Sequence, residues 1–150
     1  MPNNPLCVYK ISFKKILSTY STISELDLDK IAALDIENSF DYEIEGLYYC
    51  YVITTKVEMN KYVKILEKNL INFDCIDISE SLIKNEYDIS YISDHLDHEN
   101  YYIYEIFLED YNRWLYSRLD LDIILDMISS KGINSLRDID KKFLKENYSK

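Results

Sequence analysis

Phe40, Tyr42 and Ile44 alternate with Asp41, Glu43 and Glu45, and this period of two predicts a half-buried strand with an acidic outer face. Residues 47–54 (LYYCYVIT) are apolar at almost every position, so they predict a central strand covered on both faces. Glu45-Gly46 joins the two runs as a hairpin turn, or carries one long strand through a bulge. From Thr55 the period becomes helical. Thr55 and Glu58 have the spacing of a capping box, and Met59, Tyr62 or Val63, Leu66, Leu70 and Phe73 follow on one face. Residues 73–79 alternate again. Strand 47–54, helix 56–72 and strand 73–79 therefore outline a βαβ unit, with antiparallel pairing as the open alternative.

The flanking regions are read less sharply. Residues 7–20 suit an amphipathic helix by their lysines and a strand by their β-branched residues. A short helix is predicted over residues 27–34, with Asp27 as cap and Leu28, Ile31 and Leu34 on one face. Residues 80–100 are polar and irregular. Residues 101–108 (YYIYEIFL) predict a third strand, after which Asp110 caps a helix through Trp114, Leu115, Leu119, Ile123 and Met127 to about Ser130, closed by Gly132. Ser135 and Asp138 open a last helix whose face is Leu136, Ile139, Phe143 and Leu144. The sum is an α+β chain forming a single domain over residues 1–150. Its sheet has three to five strands, mixed or antiparallel, packed by helices, with two helices at the C-terminus.

Charge changes this picture more than composition does. At 47% hydrophobic and 29% charged the chain has globular composition. The net charge of −10 is unevenly spread. Residues 21–55 hold eight carboxylates against Lys30, and residues 74–110 hold eleven against Lys84. If the fold joins these blocks, the resulting field steers basic partners and repels nucleic acid. Small basic patches over residues 10–15, 56–68 or 141–145 are the alternative, an RNA contact. Abundant Ile, Tyr, Lys and Asn beside two Gly and two Pro imply an AT-rich genome, so the 15 tyrosines are partly mutational in origin. The acidity is not explained that way, because AT pressure favours Lys as well.

Candidate chemistry is sparse. Asp94, His95, Asp97, His98 and Glu99 bring ligand types together, and on one helical turn His95 and His98 would share a face for Zn or Mn. The pattern lacks the HExxH arrangement and a third histidine, so no metal and no cofactor is expected. Cys7, Cys50 and Cys75 are widely spaced and are expected as reduced, mostly buried thiols. The two glycines fit no phosphate-binding loop. No run reaches the roughly 18 apolar residues of a membrane helix, and the first residues lack the pattern of a signal peptide, so a cytoplasmic location without membrane contact is expected.

These readings converge on a non-enzymatic, acidic inhibitor that occludes a basic toxin, nuclease or other nucleic-acid-binding effector, as immunity proteins and antitoxins do. A viral or phage anti-defence inhibitor imitating nucleic acid is an alternative. A small metal-dependent or acid–base enzyme built on residues 94–99 is another, and homodimerisation is a further option. The residues expected to meet the partner are Glu86, Tyr87, Asp88, Tyr91, Asp94, Asp97, Glu99 and Tyr101, with Asp41, Glu43 and Glu45 as a second acidic face. Trp114 is read as core and Arg113 as helix surface.

Overall fold

A computed structural model describes residues 5–13 and 23–148. Four strands, β1 (Leu6–Phe13), β2 (Ile36–Ile44), β3 (Leu47–Thr55) and β4 (Phe73–Asp77), form one sheet in the order β2-β3-β1-β4 with every neighbouring pair antiparallel. The ambiguous N-terminal run is thus a strand as far as Phe13, and residues 14–20 lie outside the described residues. β2 and β3 meet in a two-residue hairpin with Ile44 opposite Leu47. Glu45 and Gly46 both take positive φ, 52° and 82°, the backbone that matches the twist of the flanking strands.

Two helices precede and follow this hairpin, α1 (Glu25–Ala32) and α2 (Lys56–Lys68). β3 and β4 run parallel to one another with β1 between them, so the predicted βαβ unit exists in split form. β1, α1 and β2 make a second such unit, split by β3. This β-α-β-β-α-β connectivity is the ferredoxin-like one, which hosts many unrelated functions and implies none by itself. Both helices bury their faces on Tyr9, Ile11, Phe13, Cys50 and Val52, through Ile31, Met59, Tyr62 and Leu66.

Three details on this side differ from expectation. Ser24, not Asp27, caps α1, its hydroxyl accepting the Asp27 N–H. Asp27 lies within the first turn, where a buried carboxylate accepts from Asn69 and Lys68 and ties α1 to the end of α2. These hydrogen bonds, that of Asn69 foremost, hold its pKa below the usual carboxylate range. Thr55 does cap α2 by accepting the Glu58 N–H at 3.3 Å, but the Glu58 carboxylate accepts instead from the Asp35 N–H and Lys61. Finally, α2 ends at Lys68, so Leu70 is not core. It stands at φ 58° and 91% exposed, in the position after the cap that closes a helix by left-handed backbone.

The opposite face of the sheet presents Val8, Phe40, Tyr42, Tyr51 and Ile53, which are covered by the C-terminal half of the chain. That half comprises α3 (Ser79–Ile83), a 3-10 turn (Ser90–His95), α4 (His98–Arg118), α5 (Leu121–Lys131), a second 3-10 turn (Ile133–Ser135) and α6 (Asp138–Tyr148). Residues 80–100 are therefore partly helical rather than irregular throughout. The predicted strand over residues 101–108 is part of a 21-residue helix. Its buried residues are Tyr104, Phe107, Tyr111, Trp114 and Leu115, a helical spacing, and Asp97 caps it by accepting the Asn100 N–H at 2.8 Å. The β-branched and aromatic content of residues 101–108 resembles a strand, but tertiary burial of Tyr104 and Phe107 against Phe40 decides for helix.

Asp110 caps nothing. It sits mid-helix, bound to Asn38 and Arg113. The expected long helix breaks at Leu119, where the backbone is extended, and Asp120 caps α5 by accepting the Ile123 N–H. Gly132 ends α5 at φ 87°, as expected. At α6 the reciprocal acid is Asp140 rather than Asp138: its buried carboxylate accepts both the backbone N–H and the guanidinium of Arg137. The same guanidinium donates to the carbonyls of Leu82 and Ile83, so one ion pair fastens α6 to the end of α3. Trp114 is buried as read, its indole N–H donating to the Leu6 carbonyl at 2.8 Å.

Candidate functional site

The segment between α3 and α4 is pinned from below. Ile89 and Ile92 are buried in the core, and the Tyr104 hydroxyl donates to the Ile89 carbonyl at 3.1 Å. This anchoring brings Tyr87 and Tyr91 onto the sheet, where their hydroxyls meet those of Tyr42 and Tyr51. The separations are 2.7 Å for Tyr51 and Tyr87, 3.2 Å for Tyr51 and Tyr91, and 2.9 Å for Tyr42 and Tyr91. Lys10 closes the chain by donating from Nζ to the Tyr87 hydroxyl at 3.0 Å, its ammonium also 5.2 Å from the Tyr49 ring centroid. Alternation puts Lys10, Tyr49, Tyr51 and Tyr42 on one face of three adjacent strands.

Either hydroxyl of each pair can donate, so the hydrogen count allows more than one polarity for this chain. Four hydroxyls own four hydrogens but share three contacts. In the polarity that favours ionisation of Tyr91, Lys10 donates to Tyr87, Tyr87 to Tyr51, and both Tyr51 and Tyr42 to Tyr91, and the hydrogen of Tyr91 then has no acceptor within the cluster. Tyr91 is thus the group best placed to lose a proton. Desolvation pushes its phenol up, yet the neighbouring hydroxyls of Tyr42, Tyr51 and Tyr87 and the charge of Lys10 outweigh it, and the pKa falls below the ordinary value. Tyr51 and Tyr42 are driven the other way, mainly by burial. Burial also opposes the charge of Lys10, but its contacts with Tyr87 and Tyr91 leave it more firmly protonated than a free lysine.

The expected partner-facing residues divide into three groups. Tyr87 and Tyr91 are half inside, their hydroxyls committed to the cluster. Asp88 and Asp97 serve local structure, Asp88 holding Ser90 and Asp97 capping α4. Glu86, Asp94, Glu99 and Tyr101 are exposed. Asp41 and Glu43 project from β2 on the side of α1 and α2, opposite to Phe40 and Tyr42, and Asp41 accepts from the Tyr48 hydroxyl at 2.7 Å. Asp41 and Glu43 therefore lie on the side of the sheet opposite to residues 86–101. On the edge strand β2 those carboxylates, with Glu37, also oppose strand-to-strand pairing with another chain. Glu45 is in the hairpin turn. His95 ends the 3-10 turn and His98 begins α4, so they do not share a helical turn. Among the described residues no three metal-ligating side chains come together. Cys7, Cys50 and Cys75 are free thiols; Cys50 is buried, the other two partly so.

Two features were missed by sequence reasoning because both depend on residues 101–108 being helical. Tyr102, Ile103 and Ile106 are exposed on the outer face of α4, at 68%, 51% and 47%. Their spacing of three and four makes them neighbours. Glu99, Glu105 and Glu109 surround them, exposed and in no hydrogen bond or ion pair among the described residues. On the other flank of α4 a cleft of about 810 Å³ opens between residues 85–90, α4 and α6. Its apolar wall includes Ile89, Tyr104, Leu108, Tyr111, Leu115 and Ile139.

No protein-family model matches the chain, and neither a curated protein nor a solved structure does. Among the described residues no helix is long and apolar enough to cross a membrane.

Proposed function

We propose that this protein binds a basic protein through the outer face of α4 and the segment before it, and blocks that protein by occlusion, in the manner of an immunity protein or antitoxin. The observation that carries this reading is the apolar stripe of Tyr102, Ile103 and Ile106 set among Glu99, Glu105 and Glu109. Three large side chains left in water on a helix whose opposite face is fully used are costly for a monomer. An apolar centre with a charged rim is the anatomy of an interface, and Tyr is a frequent anchor there. The rim is acidic, so the complementary surface is basic, such as the nucleic-acid groove of a toxin nuclease. The field of the rim speeds encounter with such a surface and the stripe holds it afterwards.

The test is capture of partners from the source cell on the immobilised protein, followed by titration of the captured basic protein at low and high salt. The expected result is a complex weakened at least tenfold by raising salt, through slower association. It is also weakened at least tenfold by Tyr102→Ala with Ile106→Ala, through faster dissociation. A partner whose affinity is indifferent to both salt and this pair of changes overturns the reading.

A further inference from the structure

The cleft between residues 85–90, α4 and α6 is lined by a tyrosine whose ring is buried and whose hydroxyl meets no protein partner among the described residues. Tyr111 is 7% exposed, its ring stacked between Phe107 and Trp114 at centroid distances of 6.4 and 6.0 Å. It lines the cleft, its hydroxyl has no hydrogen-bond partner among the described residues, and the oxygen is not sealed from solvent. A hydroxyl that reaches a cavity without a protein partner is free to meet a ligand atom. Burial keeps the phenol protonated, so it offers a donor.

A second donor group belongs to the same lining. Arg137 also lines the cleft. Of its five guanidinium N–H groups, two go to Asp140, one to Leu82 and one to Ile83, which leaves one on Nη1 without an acceptor among the described residues. Two spare donors above an apolar wall call for a ligand with an acceptor oxygen at one end and a hydrocarbon body. The rim limits its charge. Asp88, Glu109 and Asp138 face Arg113 and Lys142, and a chain of net charge −10 repels polyanions. The volume lies within the usual range of small-molecule sites.

We propose that this cleft binds a small monocarboxylic acid with an aromatic or aliphatic body, its carboxylate accepting from the Tyr111 hydroxyl and the spare Arg137 N–H, its body on Leu108, Leu115 and Ile139. Tyr102, Ile103 and Ile106 do not line the cleft, and Glu109 is the one rim residue it shares with the outer stripe of α4.

Three probes of one shape test it: 4-phenylbutyrate, 4-phenylbutanol and 4-phenylbutylamine, each titrated into the whole protein and followed by ligand-observed NMR. The acid is expected to bind most tightly and the amine least. Tyr111→Phe, with folding confirmed by circular dichroism, is expected to weaken the acid about fivefold, the loss of one hydrogen bond, and to leave the alcohol less affected. Leu108→Trp, which fills the wall, is expected to abolish binding of all three. Absence of binding by the acid up to roughly 5 mM overturns the proposal. So does an amine that binds as well as the acid, or a Tyr111→Phe protein that binds the acid unchanged.

Discussion

The hydroxyl of Tyr91 lies 2.9 Å from that of Tyr42 and joins a chain of hydrogen bonds that starts at Lys10 and passes through Tyr87 and Tyr51. Tyr87 and Tyr51 thus link a strand lysine to the phenol of Tyr91, which also feels the lysine charge directly. The order of tyrosine ionisation should reveal it. Titrated by ultraviolet difference spectroscopy, Tyr91 is expected to ionise first among the cluster, below the ordinary value near 10. Tyr91→Phe removes that step, and Tyr51→Phe or Lys10→Met raises it. An early step that survives in Tyr91→Phe refutes the polarity that favours ionisation of Tyr91.

Stability at alkaline pH follows with opposite signs. The depressed phenol of Tyr91 contributes stability that is present above its unfolded value and lost as pH falls through its folded one. Tyr104 is raised, chiefly by burial, to about 12. Its contribution is present below the unfolded value near 10 and is lost as pH climbs toward about 12. Tyr51 and Tyr42 act in the same direction as Tyr104. The raised phenols dominate, so urea midpoints should fall as pH rises above about 10. Tyr104→Phe should be less stable than the parent at pH 7, having lost about 1 kcal/mol with its bond to Ile89. It should also lose less on going to alkaline pH. Parallel pH profiles for parent and variant would contradict this.

At the end of α2 the Ile71 N–H donates to the Leu66 carbonyl at 3.0 Å and the Leu70 N–H to the Glu67 carbonyl at 3.1 Å. This is a Schellman closure with leucine where glycine is favoured. Leu70 pays backbone strain at φ 58° and recovers little by packing, being 91% exposed. Leu70→Gly is expected to raise stability by about 0.5–1 kcal/mol, read as a higher urea midpoint at unchanged slope. The end of α3 has the same closure, with Asn85 at φ 59°, but asparagine tolerates that backbone and its side-chain amide donates to the Ser135 carbonyl, so Asn85→Gly should bring no gain and lose that bond.

The sheet was legible in the sequence where one face of a strand is wet. Asp41 and Glu43 mark the open side of β2, and the alternation with Phe40 and Tyr42 shows it directly. β3 was legible as a run, because both its faces are covered. The strand order was not, since nothing local records that β1 slides between β3 and β4. Residues 101–108 failed for a different reason. Tyr, Ile, Phe and Leu occupy seven of the eight positions, so any period fits, and Asp97 as cap lies outside the window. That error hid the site as well. Read as a strand, Tyr102 and Tyr104 share a face; on a helix Tyr104 is buried and Tyr102 is exposed. The tyrosine cluster escaped because its members are brought together from β2, β3 and a loop, a long-range arrangement with no spacing signature.

Ile106 and Phe107 are chain neighbours with opposite duties, and their substitution separates folding from binding. Phe107 is 1% exposed and packs at 6.0 Å from the Phe40 ring. Phe107→Ala removes that contact from the centre of the core and is expected to cost about 3–5 kcal/mol, a large part of the stability of a domain this size. Ile106 stands in water, so Ile106→Ser should stay within about 0.5 kcal/mol of the parent in urea. If the outer face of α4 is the interface, the second change is the one that abolishes capture of a partner, in a protein that melts like the parent. A stable Ile106→Ser protein with undiminished capture would move the interface elsewhere. A large loss of stability in Ile106→Ser would mean that the stripe is covered within the chain itself.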